Sequence, residues 1–102
     1  MALMQITIVP VGTGSTSVGD YVAGVQKLLR ERGCTFELTD MGTVVHGTIS
    51  ELLRLAVDIH EYPFSCGAQR VVTNIMLDDR RDKRQAIGDK RRAVRARLGG
   101  EI

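Results

Sequence analysis

Between Cys34 and Thr48 the chain reads Cys-Thr-Phe-Glu-Leu-Thr-Asp-Met-Gly-Thr-Val-Val-His-Gly-Thr, and no other stretch limits its possible folds as sharply. Phe36 and Leu38 alternate with polar neighbours, a polar break spans residues 39–43, and a β-branched run resumes from Thr43 to Val45. Period-two alternation on both sides of a short polar break is the pattern of a β-hairpin. A hairpin in mid-chain needs neighbours that cover one of its faces, and the flanking sequence offers them on both sides.

Ahead of it, residues 3–11 predict a strand with Met4, Ile6 and Ile8 on the core face and Gln5 and Thr7 on the other. Pro10 has no backbone donor and marks the strand's end or an edge. A Gly/Ser/Thr loop, residues 12–17, follows; it is neither a dinucleotide fingerprint nor a P-loop, and it reads as a turn. Ser17 is the expected N-cap of a helix, with Asp20 three residues on. Val18, Tyr21, Val22, Val25, Leu28 and Leu29 form the apolar stripe, and Arg30, Arg32 and Gly33 mark its C-terminal end.

After the hairpin, Thr48 and Glu51 read as a capping box opening a second helix. Leu52, Leu55, Ala56 and Ile59 face inward, Arg54, Asp58 and Glu61 face out, and Pro63 is expected to end the helix. Residues 70–77 predict a last strand, whose nearly continuous apolar run suggests a central place in the sheet. Residues 82–98 predict a third helix with only a thin apolar stripe, Ile87, Val94 and Leu98.

The order strand, helix, strand, strand, helix, strand, plus a terminal helix, predicts an α+β chain of ferredoxin-like βαββαβ type. Its antiparallel four-stranded sheet would carry both main helices on one face. The other face has no expected cover within the chain, so self-association through it, or through the third helix, is anticipated. At 102 residues the whole chain is read as one domain, small enough that burial between copies would help it.

Composition narrows function. Aromatic residues make up 4% of the chain, which leaves few stacking platforms for single-stranded nucleic acid. From residue 70 onward ten Lys or Arg stand against five Asp or Glu, but the two signs are interleaved, as on a solvated helix face rather than a nucleic-acid surface. Cys34 and Cys66 lie far apart without Cys-x-x-Cys spacing and are expected as free thiols. No secretory pattern and no membrane-length apolar run is read, so a cytoplasmic location is expected by elimination.

No catalytic or metal-binding constellation is visible, and no cofactor is expected. His46 and His60 lack partners at metal-ligand spacing, and Cys66 follows a helix end, a poor place for a reactive thiolate. The densest polar group is the hairpin turn. Thr39, Asp40, Met41 and Thr43, with His46 just beyond, are the candidate ligand-binding residues: hydroxyl and carboxylate groups for an aminopyrimidine edge, Met for its face. The competing reading is an ordinary turn in which Thr39 and Asp40 bond their own backbone.

Several segments resemble one family in order and spacing. They are Ile8-Val-Pro-Val-Gly12, Ser17-Val-Gly-Asp-Tyr-Val22, Asp40-Met-Gly-Thr-Val-Val-His-Gly47, Gly67-Ala-Gln-Arg-Val-Val-Thr73 and Leu77-Asp-Asp-Arg-Arg-Asp-Lys83. Together they resemble the small thiamine-binding family across almost the whole chain. The resemblance implies a ferredoxin-like fold, dimers commonly paired into tetramers, and non-catalytic binding of thiamine or its hydroxymethylpyrimidine precursor near a subunit interface. Two positions depart from the family's usual pattern: Asp40 stands where proline is common, and His46 where glutamate is common. An imidazole attracts a thiazolium cation far less than a carboxylate does, so Asp40 becomes the candidate source of negative charge. An oligomeric regulatory or protein-interaction module remains the alternative. An acylphosphatase-like enzyme would need an arginine in the 12–17 loop, which has none.

Overall fold

The computed structural model describes residues 1–15 and 18–100. The elements are β1 (Ala2–Pro10), α1 (Gly19–Glu31), β2 (Thr35–Thr39), β3 (Gly42–Gly47), α2 (Ile49–Ser65), β4 (Val71–Asp78) and α3 (Asp89–Arg97). The sheet runs β2-β3-β1-β4 with every neighbouring pair antiparallel, which is the ferredoxin-like arrangement expected from the sequence.

Alternation on β1 sets the core. Ala2, Met4, Ile6 and Ile8 are buried and meet Val45 of β3, Val25 and Leu29 of α1, and Leu52, Leu55, Ala56 and Ile59 of α2 in one cluster. Each large side chain removed from water there contributes about 1.5–3 kcal/mol before ordering costs. The helix ends are locally specified. Gly33, with φ +68°, closes α1 in a Schellman motif: its N–H donates to Arg30 O and that of Cys34 to Leu29 O, both at 3.1 Å. At the start of α2, Thr48 Oγ1 accepts from the Glu51 N–H at 3.2 Å while Glu51 Oε2 accepts from the Thr48 N–H at 3.4 Å, completing the capping box. Ser17, the expected cap of α1, lies outside the described residues; Val18 precedes the helix without a side-chain cap bond.

Four expectations are corrected. β4 is an edge strand, not a central one, and Val72, Ile75, Met76 and Leu77 on it are 40–67% exposed, so its apolar run does not reflect burial on both faces. Pro63 lies inside α2 instead of ending it. This near the C-terminus its missing N–H forgoes a single helix bond, and its ring is fully buried, which offsets the loss. The third helix is shorter than predicted, Asp89–Arg97, with no buried residue; Gly88, at φ +92°, starts it. The sheet face away from α1 and α2 is not bare either. The segment after β4 returns to it, with His46 Nε2 2.7 Å from the Gln85 carbonyl oxygen and Arg91 paired to Glu37 at 3.2 Å.

Candidate functional site

The hairpin turn, the first half of α1 and the second half of β1 converge at one end of the sheet and enclose a cleft of about 710 Å³. Gly42 makes the approach possible: a Cβ there would lie 2.8 Å from Thr7 Cγ2 and 3.3 Å from the Ile6 carbonyl oxygen. Val22 and Gln26 of α1, Ile6 and Ile8 of β1, and residues 39–43 contribute to the lining. Among the described residues, Asp40 is the one ionisable residue in that lining.

The most informative group in the cleft is Gln26. Its Nε2 donates to Thr43 Oγ1 at 3.0 Å, and Thr43 is 5% exposed. Its Oε1 is buried without a hydrogen-bond partner. Turning the amide over merely exchanges the two ends, so one polar atom is left unsatisfied either way, at a cost of about 1–3 kcal/mol. Sequence reading missed this residue. The signal was a polar side chain at an inward position, four residues after Val22 and three before Leu29.

The five residues singled out from sequence have different fates. Thr43 points to the helix side and into the cleft, as its bond to Gln26 shows. Asp40 is exposed at the rim, and its carboxylate has no partner among the described residues. Met41, 79% exposed, also borders the opening. Thr39 lines the cleft, but its hydroxyl serves the turn, donating to Gly42 O at 2.8 Å and accepting from the Met41 N–H at 3.3 Å. His46 is not with them. It pairs across from Leu3 and Thr35, three positions after Thr43 on a period-two strand, and so faces the opposite side of the sheet, where it holds Gln85.

The other histidine is structural: His60 Nδ1 lies 2.7 Å from Thr73 Oγ1, tying α2 to β4, and its ring meets Phe64 at 5.5 Å. Burial holds the Cys34 thiol above its ordinary pKa, with Arg32 opposing and Glu51 adding to the effect. Among the described residues no three of His, Cys, Asp and Glu gather closely enough to hold a metal ion, and no helix is long and apolar enough to cross a membrane.

Comparison with known proteins places this geometry in context. The sequence model of a family described as thiamine-binding protein matches residues 4–95. The UPF0045 protein YqgV of Bacillus subtilis is 43% identical over 102 residues, covering 96% of this chain and 98% of the relative. Among solved structures, a Methanocaldococcus jannaschii protein described as hypothetical superposes with a TM-score of 0.80 at 29% identity, covering 91% of this chain and 94% of that one. A Thermotoga maritima protein, assigned provisionally by its name to thiamine biosynthesis or salvage, has a TM-score of 0.76 at 18% identity, covering 92% and 98%.

Proposed function

The chain belongs to the thiamine-binding protein family, and from that membership we propose that it binds thiamine or its hydroxymethylpyrimidine precursor, without turnover, in the cleft between α1 and the hairpin turn. The observation that carries this reading is the half-satisfied Gln26 amide beside Thr43. An aminopyrimidine edge presents an amino donor next to a ring-nitrogen acceptor, and so meets whichever end of the amide is free. Ile6, Ile8 and Val22 give the ring apolar walls, and the cleft volume is ordinary for a small-molecule site. Met41 at the rim supplies a flexible, polarisable side chain for the ring's face.

Absence of turnover is part of the proposal. That a single ionisable group lines the cleft among the described residues supports it, since acid–base or nucleophilic catalysis calls for paired groups in mutual reach. The reading also includes self-association, with the site at or near an interface. Leu38 and Met41 at the rim are 53% and 79% exposed, surface that a second copy would cover. One observation favours a protein-interaction module instead: from Val71 to Leu77 the outer edge of β4 has no charge, proline or glycine to guard it against pairing with another strand.

A thermal-shift titration with thiamine and with hydroxymethylpyrimidine tests the binding reading. At a thousand times Kd the ligand stabilises the fold by about 4 kcal/mol. No shift with either compound at millimolar concentration rejects it, and strand-edge pairing without any ligand effect favours the interaction module.

A further inference from the structure

The sheet face turned away from α1 and α2 carries a second cleft, of about 850 Å³, between the strands and the segment that follows β4. Its floor is largely apolar: Val44 and Met76 stand on either side of Gln5 across three adjacent strands, and Leu3 lies one pleat further along. Its walls bring five cations, Arg80, Lys83, Arg84, Lys90 and Arg92, against two carboxylates, Asp78 and Asp89. Arg80 is taken by Asp82 and Arg92 by Asp89. Lys83, Arg84 and Lys90 form no ion pair among the described residues, although Lys83 lies near enough to Asp82 and Asp89 to help hold both carboxyls ionised.

Gln85 makes this more than a basic surface. Its backbone carbonyl oxygen is fixed by His46 at 2.7 Å, and its side-chain Oε1 is buried with no partner. A solvated charged face leaves its polar atoms in water; here an amide oxygen has been withdrawn from water and given nothing in return. An unpaired acceptor, an apolar floor and an excess of unpaired cations ask for a ligand with three matching parts: a hydrogen-bond donor, a flat apolar body and a concentrated negative charge. We propose that this cleft binds a small organic phosphate of mononucleotide type. The phosphoryl group meets Lys83, Arg84 and Lys90, and the ring lies on Val44 and Met76 with an N–H donor toward Gln85. The site is independent of the thiamine reading, because it lies on the other face of the sheet and shares no lining residue with the first cleft.

Titration of the full chain with AMP, adenosine and inorganic phosphate, followed by calorimetry and backbone amide NMR, tests it. AMP is expected to saturate and to shift Leu3, Val44 and Met76 while leaving Gln26 and Thr43 in place, with adenosine and phosphate each at least about tenfold weaker. The Lys83→Ala, Arg84→Ala double variant is expected to weaken AMP by about tenfold or more with an unchanged melting temperature. Gln85→Leu is expected to weaken AMP but not phosphate. Three results would overturn the proposal: no saturable AMP binding; phosphate binding as tightly as AMP and vanishing with salt, which denotes a diffuse basic surface; or AMP shifts centred on Gln26.

Discussion

Gly24 and Tyr62 occupy one shared volume where α1 crosses α2: a Cβ placed on Gly24 would overlap the hydroxyl-bearing end of the Tyr62 ring. The helices therefore meet at their observed spacing only because α1 has no side chain there. Gly24→Ala gains about 1 kcal/mol of helix propensity but incurs an overpacking cost of about 1–3 kcal/mol. Urea unfolding should show a net loss of stability. In a Tyr62→Leu background the sign should reverse, since the obstacle is gone and the propensity gain remains. An equal loss in both backgrounds would mean that the ring is not what Gly24 accommodates.

Gln26 and Thr43 separate binding from stability. Gln26→Leu removes one unsatisfied atom but leaves the buried Thr43 hydroxyl without its partner, two effects of similar size and opposite sign, so the free protein should unfold within about 1 kcal/mol of the parent while losing its response to thiamine. Thr43→Val strands the amide at both ends and should cost about 1–3 kcal/mol. Chemical denaturation of both variants, with and without thiamine, checks the pair. A large stability loss for Gln26→Leu would make its amide structural.

Most of the framework was legible because local rules and the tertiary fold agree. Thr48 and Glu51 announce a capping box and form one, Gly33 announces a helix end and takes positive φ, and the period-two burial of β1 is the alternation of its letters. The failures share a cause, which is that a run of letters does not reveal its neighbours. The apolar run of β4 reads the same whether a strand is covered by other strands or left at an edge, and Pro63 reads as a stop unless one knows that its ring is buried. At the site, the turn residues were visible as a cluster in sequence, but His46 was grouped with Thr43 by proximity along the chain although three steps on a strand place them on opposite faces. Gln26 escaped notice because it lies 17 residues away from the side chain it touches.

The Thr48 cap can be tested without touching either cleft. Thr48→Ala removes the side-chain acceptor for the Glu51 N–H and dissolves the reciprocal bond, so it should destabilise the fold by about 1 kcal/mol. Thr48→Asp should retain most of the stability, because a carboxylate also accepts that bond and suits the helix N-terminus. Thermal unfolding of the two variants at one pH distinguishes a cap from mere packing.

Acid should loosen the C-terminal segment ahead of the core. Asp82 is held at about 2 by the Arg80 guanidinium, and Asp79 and Asp89 are lowered by their bonds to Arg81 and Arg92, the latter aided by the Ala86 N–H. A carboxyl whose pKa is depressed on folding stabilises the folded form above its unfolded value, near ~3.9, and that contribution drains away as pH falls through the folded value. The window is therefore roughly pH 4 down to 2. Protection of residues 79–97 against amide exchange, taken relative to the intrinsic rate at each pH, should fall across it while that of β1 is retained, and the difference should shrink in molar salt because these pairs are exposed.

Asp40 decides whether charge matters to the ligand. It is the single ionisable residue in the lining of the first cleft, it lies at the rim in water, and its carboxylate has no partner to neutralise it among the described residues. Thiamine bears a permanent positive charge on its thiazolium ring and hydroxymethylpyrimidine bears none, so the two compounds share the Gln26 contact and differ in what Asp40 can give them. An exposed ion pair is worth about 0.2–1 kcal/mol. Asp40→Asn should therefore weaken thiamine by up to about fivefold and leave hydroxymethylpyrimidine unchanged, and raising the salt concentration should erode the parent's preference in the same direction. Equal effects on both ligands would assign Asp40 to the shape of the turn, and no effect on either would leave recognition to Gln26 and Thr43 alone.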